Sequence, residues 1–450
     1  MTHNYKKLIF LSLFPLLLLQ SCFVADQPFR GIPPGPWRGI LTLVPDPVSP
    51  NPKGQPLPEK VNLTFEEVSS GQLPFNFEVK YKNEDEFYLE ILNGDEVIEI
   101  TDIKYGVDRK TAKDTVWINF PIFDSYIKGI YEGNLIQGYW VVNNRENYQI
   151  PFTARFGQDH RFTTLKKAPK MDISGTWETT FTDESGTPEA AVGEFVQNGN
   201  EVTGTFLTET GDYRFLEGTI QDNKLYLSCF DGAHAFLFEA KIREDSTMIG
   251  SFLSGNHYKA IWEAKYSPNA SLRDPTELTF IKEGYDKLTF SFPNTEGKIV
   301  SLSDEVYQGK PTIVQILGTW CPNCRDETKF LVNYLKEHPD LDLQIISLAF
   351  ERHKDKEKAL SALQRYKSGM NIPYEILLAG ESDKTEAAKS LPMLNHILSY
   401  PTMIFIDKNG NVRKIHTGFS GPATSKYEAF IKEFEQTIDQ LSSEDPKKII

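Results

Sequence analysis

The sequence predicts two tandem all-β modules, each a small barrel or sandwich, followed by an α/β domain. Three observations predict it. Residues 35–160 and 173–267 are built of short strand-like runs divided by turn signals, with no convincing helical period. The second stretch repeats landmarks of the first: ISGTWETTFT (173–182) echoes PPGPWRGILT (33–42), and residues 247–266 echo 134–156. From about residue 284, apolar strands alternate with amphipathic helical patterns, the grammar of an α/β sheet. A chain of 450 residues exceeds one ordinary core. Its 12% aromatic content leans the same way, since aromatics favour β structure.

Residues 1–22 read as a targeting segment. Lys6 and Lys7 open a charged region, and the apolar run from Leu8 to Leu19 is too short to span a bilayer. It ends in Leu19-Gln20-Ser21-Cys22, which resembles a bacterial lipoprotein box. That resemblance makes Cys22 the acylated first residue of the mature chain, held to a membrane by its lipids. The plainer reading is a secretory signal with a chance cysteine. Either way the chain leaves the cytosol for an envelope where disulfides form. The expected location is the bacterial envelope, lipid-anchored and facing the periplasm, with the outer membrane favoured over the inner.

A tether, 23–36, leads to the strand WRGILTLVP (37–45) and a proline-rich irregular loop, 45–58. Runs at 75–81, 86–93, 95–103, 114–122, 127–142 and 148–156 complete the first module. In the second, 194–206 is a hairpin with Asn-Gly at its turn, and 215–230 is another. Roughly six to eight strands per module suit a small up-and-down barrel, and the resemblance is to lipocalin-like barrels. Cys229 alternates with Leu225 and Leu227 and belongs on their inward face. Residues 267–278 link to the third domain, 284–442. There 311–318, 341–350 and 374–380 read as strands, and 402–418 as a hairpin. Residues 325–338, 354–369 (closed by Gly369) and 424–443 read as helices, and the last residues as a frayed tail.

GTWCPNC (318–324) carries the chemistry. A strand delivers the chain to a turn, and a helix begins near Pro322, where a missing N–H costs nothing. Cys321 therefore sits at a helix N-terminus, where free N–H groups and the helix dipole stabilise a thiolate. Cys324 follows one turn along the same face, placed to close a disulfide with Cys321 or to resolve a mixed one. The net charge of −14 repels nucleic acid. His353, His396 and His416 lack ligand spacing, so no metal is expected. Neither a glycine-rich phosphate loop nor G-x-S-x-G occurs, and no cofactor is called for.

GTWCPNC, the apolar strand before it, YPTMIFID (400–407) and the introductory stretch 284–314 together resemble the thioredoxin superfamily, in its exported TlpA/ResA-like branch. The resemblance implies an envelope thiol–disulfide oxidoreductase acting on protein thiols through Cys321 and Cys324. It favours the reducing direction and implies an envelope redox partner. It makes Pro401 a cis-proline beside the cysteines, with the backbone of Tyr400 free to pair with a bound peptide. Tyr400 is larger than the usual Thr or Val. Trp320 flanks the nucleophile and covers the disulfide. Glu327 matches an acid that exchanges protons with the site, although by position alone it reads rather as a solvated helix residue. Gln315 replaces the buried Asp of cytoplasmic thioredoxins. Two other readings stand beside this one. One is a ligand- or partner-binding lipoprotein whose third domain is a redox-sensitive docking unit. The other is a peroxiredoxin-like peroxidase, although LGTW before Cys321 lacks the proline of that pattern.

Overall fold

The computed structural model describes residues 30–44 and 70–444. Cys22 and the rest of the targeting segment, the loop 45–58 and the last six residues lie outside the described residues.

Nine strands form the first module: β1 Gly35–Thr42, β2 Gln72–Tyr81, β3 Phe87–Asn93, β4 Glu96–Ile100, β5 Ile103–Val107, β6 Asp114–Phe120, β7 Ser125–Glu132, β8 Leu135–Val142 and β9 Gln149–Phe156. They form one antiparallel sheet, ordered β4-β3-β2-β1-β9-β8-β7-β6-β5. Period-two alternation sets its inward face: in β3, Phe87, Leu89, Ile91 and Asn93 are buried and the residues between them are half-exposed. The first strand pairs with the last, and the outer strands β4 and β5 remain unpaired with each other.

The second module also has nine strands: β10 Gly175–Asp183, β11 Pro188–Asn198, β12 Glu201–Thr208, β13 Gly211–Asp212, β14 Leu216–Gln221, β15 Lys224–Phe230, β16 Ala235–Ile242, β17 Thr247–Ser254 and β18 Tyr258–Tyr266. Here pairing of β11 with β12 closes the barrel. Each module thus exceeds the expected strand count, because the turns inside the longer runs split them. Phe206 and Phe238 stand 4.8 Å apart and Phe238 and Phe252 4.4 Å apart, centroid to centroid, so side chains fill the barrel. The two modules share one way of starting: Trp37 Nε1 donates to Pro33 O at 3.0 Å, and Trp177 Nε1 to Ile173 O at 2.9 Å.

β15 fuses the modules. Leu225, Leu227 and Cys229 point into the barrel, while Tyr226 and Phe230 join the core of the first module. The Phe230 ring lies 4.5 Å from Phe75, 5.8 Å from Phe120 and 5.2 Å from Trp140.

The third domain opens with a small hairpin, β19 Ser291–Pro293 and β20 Ile299–Ser301. Its sheet comprises β21 Thr312–Leu317, β22 Gln344–Glu351, β23 Glu375–Glu381, β24 Thr402–Ile406 and β25 Val412–Thr417, in the order β23-β22-β21-β24-β25. β21, β22 and β23 run parallel, and β24 and β25 return antiparallel. The helices are α1 Pro322–Glu337, α2 Lys356–Gly369, α3 Lys384–Ser390 and α4 Tyr427–Ser443. β21 is central and buried along its whole length, which explains an apolar run that only Gln315 interrupts between Ile313 and Leu317. Gly369 lies within α2 rather than closing it; Asn371 takes the left-handed position at φ 52°. α3 is an addition to the sequence reading, started by Asp383, whose side chain accepts from the N–H groups of Thr385 and Glu386.

If Phe230 completes the first module's core, Phe230→Ala lowers unfolding free energy by about 3–5 kcal/mol, because the cavity opens among rings held by both modules. Urea unfolding read by tryptophan fluorescence checks this; a loss below about 1 kcal/mol would mean the modules pack independently.

Candidate active site

β21 ends at Leu317, and the turn Gly318–Trp320 carries the chain to α1. This is the carboxyl end of parallel strands, where α/β sheets place their sites. Cys321 is the N-cap of α1, with extended backbone, and its Sγ accepts the N–H of Cys324 at 3.3 Å. Its thiol also faces Tyr400 O at 3.4 Å. The Tyr400–Pro401 peptide bond is cis. Cys321 and Cys324 both carry free thiols.

The two sulfurs differ. Burial opposes ionisation of Cys321, but hydrogen bonding from Cys324, the Arg352 guanidinium and the Asn323 N–H outweigh it and hold its pKa below the ordinary thiol value. Cys324 is fully buried, and burial together with its hydrogen bond to Cys321 and the charge there pushes its pKa well up. One sulfur is disposed to be a thiolate and the other to keep its proton.

Below them runs a buried polar ladder. Glu327 Oε2 accepts from Gln315 Nε2 at 2.8 Å. Gln315 Oε1 accepts from Ser347 Oγ at 2.8 Å, and Tyr366 OH donates to Thr328 Oγ1 at 2.9 Å beside them. Glu327 is 0% exposed, its Oε1 has no hydrogen-bond partner, and burial raises its pKa to about 8. The solvated-helix alternative for Glu327 is therefore excluded.

Above them the turn is pinned. Glu351 accepts from Thr319 N and from Thr319 Oγ1, both at 2.9 Å. Trp320 Nε1 donates to Phe350 O at 3.0 Å, and the Arg352 guanidinium lies 4.0 Å from the Trp320 ring centroid. Tyr400 meets Trp320 edge-on at 5.5 Å.

A family model described as the AhpC/TSA family matches residues 285–415, less than a third of the chain. The protein named Thioredoxin-like protein YneN, from Bacillus subtilis (strain 168), is 28% identical over 159 residues, covering 35% of this chain and 80% of that protein. Thiol-disulfide oxidoreductase ResA from the same organism is 25% identical over 138 residues, 31% of this chain and 69% of its own. Thiol:disulfide interchange protein DsbE of Escherichia coli (strain K12) is 26% identical over 156 residues, 34% and 75% of the two chains. The third domain is a thioredoxin-like thiol–disulfide oxidoreductase domain. A crystal structure of a thiol:disulfide interchange protein from Chlorobium tepidum TLS also aligns, at 21% identity and TM-score 0.28, covering 39% of this chain and 100% of that one.

In the thioredoxin-like domain, Trp320, Cys321, Cys324, Glu327, Tyr400 and Pro401 therefore converge on one place. Cys22 lies outside the described residues. Glu351 and Arg352 escaped the sequence reading. Their signal was register: Leu317 faces Ala349 across parallel strands, so two residues further on Glu351 stands beside Thr319. Asn323, the third residue of the motif, reaches outside its own domain: its Nδ2 donates to Asp212 O at 3.0 Å.

Glu327 keeps its proton in the fold up to about pH 8, against an ordinary 4.5. The folded chain thus holds one proton more than the unfolded chain between those values. The associated stability is fully present below the lower value and lost as pH rises through the upper. Between pH 5 and pH 8, Glu327→Gln therefore loses less stability than wild type, by roughly 1 kcal/mol or more. Urea midpoints at the two pH values decide it; equal losses in both proteins would show Glu327 ionised throughout.

Proposed function

We propose that this chain is an envelope thiol–disulfide oxidoreductase in which Cys321 attacks and Cys324 resolves. The observation that carries this reading is the asymmetry of the two sulfurs at the N-terminus of α1. The Cys321 thiolate attacks a target disulfide, forms a mixed disulfide and expels one target sulfur as thiolate. Cys324 then gives up its proton and attacks the Cys321 sulfur. The second target thiolate leaves as the Cys321–Cys324 disulfide closes. Two electrons pass from the dithiol to the target. Glu327 is the group placed to hold or take the proton from Cys324, one turn along α1. Tyr400 and Pro401 form the substrate-side loop, and Trp320 shields the sulfurs.

The reducing direction is favoured, with an envelope partner restoring the dithiol and Cys22 as lipid anchor. The names of the relatives, thiol-disulfide oxidoreductase and thiol:disulfide interchange protein, support exchange with thiols. The AhpC/TSA match keeps a peroxidase in view. Against it, Gly318 stands where the Thr-x-x-Cys of that pattern has its threonine, and a second cysteine lies one turn along α1.

Cys324→Ser should trap mixed disulfides between Cys321 and envelope proteins, seen as reducible adducts on non-reducing gels; a variant that accumulates none overturns the reading. Arg352→Met should slow iodoacetamide alkylation of Cys321 at pH 7 by roughly two- to tenfold, because the thiolate fraction falls. An unchanged rate would remove Arg352 from the site.

A further inference from the structure

The surface of the thioredoxin-like domain beside Cys321 is already covered by the second barrel. The covering piece is Glu209–Arg214, between β12 and β14. It crosses the first turn of α1 and two loops of the same domain, at Ser399 and Gly421. Asn323 Nδ2, in the motif itself, donates to Asp212 O at 3.0 Å. Ser399 Oγ, next to Tyr400, donates to Thr210 O at 2.6 Å. Gly421 N donates to Asp212 Oδ2 at 2.7 Å. The approach is close enough that a Cβ on Gly211 would overlap the Asn323 amide, and Gly211 has φ 142°, where only glycine is at ease.

The piece is rigid. Tyr213 turns into the barrel, its ring 4.9 Å from Phe252 and 5.2 Å from Phe236. Arg214 turns outward and is 1% exposed; it pairs with Asp326 of α1, with Glu96 at 2.5 Å and with Asp231 at 3.5 Å. Arg273 pairs with Glu209 through two contacts of 2.5 Å at the near end. A strip held at both ends and in the middle does not swing away like a loose loop.

We propose that Glu209–Arg214 is the specificity-determining wall of the redox site. It closes the flank of Cys321 formed by Asn323 and Ser399, and Gly421 fastens it from the side. A disulfide therefore enters past the partly exposed Trp320 and Arg352. Disulfides on small molecules or slender chain ends fit that approach; a disulfide set in the surface of a folded protein does not. The inference rests on the proposed attack by Cys321 and adds the steric class of its substrate.

The test uses the reduced full-length chain and two reagents with the same leaving group. One is 5,5′-dithiobis(2-nitrobenzoic acid). The other is a folded carrier protein whose single surface cysteine bears thionitrobenzoate. The Cys321 thiolate attacks either disulfide and expels thionitrobenzoate, and Cys324 then closes on Cys321 and releases the remaining thiolate. Rates are normalised to dithiothreitol with the same reagents and corrected with Cys321→Ser. Wild type should discriminate at least tenfold against the carrier. Gly211→Ala, which wedges the wall off Asn323, and Ser399→Ala, which removes one bond without adding bulk, should each narrow that gap at least threefold. Ser399→Ala serves alone if Gly211→Ala does not fold. Equal normalised rates in wild type, or an unchanged gap in the variants that fold, overturn the wall and leave Cys321 as nucleophile. No release from the small reagent by any form overturns both.

Discussion

The arrangement turns on one buried cation. Arg214 belongs to the second barrel, yet its guanidinium faces Glu96 of the first module, Asp231 of its own barrel and Asp326 of the redox helix. A charge so enclosed is tolerable only when carboxylates meet it, and removing one partner leaves another uncompensated. Burial works against the charged form, but Glu96, Asp231 and Asp212 outweigh it and raise the pKa of Arg214. The three parts of the chain are thus indexed to one another at a point two residues beyond Cys324. Asn323, on the same first turn of α1, takes its external bond from this geometry.

Two buried carboxyl groups flank the sulfurs, and both are pushed toward the neutral form by burial, Glu327 to about 8 and Glu351 to about 7. Their surroundings divide the work. Both oxygens of Glu351 receive hydrogen bonds from Thr319, so it fastens the turn before Cys321. Glu327 is held by one oxygen only, which leaves the other free to carry a proton. The same physical effect yields a clamp above the two sulfurs and a singly bonded, protonated carboxyl beneath them.

Much of this was legible in the sequence where local rules suffice. Alternation located the strands, the Trp37 and Trp177 entries marked the repeat, and Pro322 after Cys321 marked the start of a helix. Tertiary placement was not legible. The sequence reading put Leu225, Leu227 and Cys229 on an inward face, but period-two logic cannot say what covers Tyr226 and Phe230 on the other side. Asp212 and Arg214 look like ordinary turn residues until the redox helix is set against them. Glu351 stands 32 residues from the Thr319 it holds, joined only by strand register. Gly369 looked like a helix stop, yet it lies against Ile122 of the first module, so close packing accounts for its small size.

Phe230 has a consequence for how the molecule is made. Synthesis from the N-terminus releases the first module before the barrel segment that fills its interior. Until Tyr226 and Phe230 emerge, Phe75, Phe120 and Trp140 line a half-built core. The nascent chain therefore presents apolar aromatic surface for the time needed to make about seventy residues beyond β9, the interval in which association with other chains competes with folding.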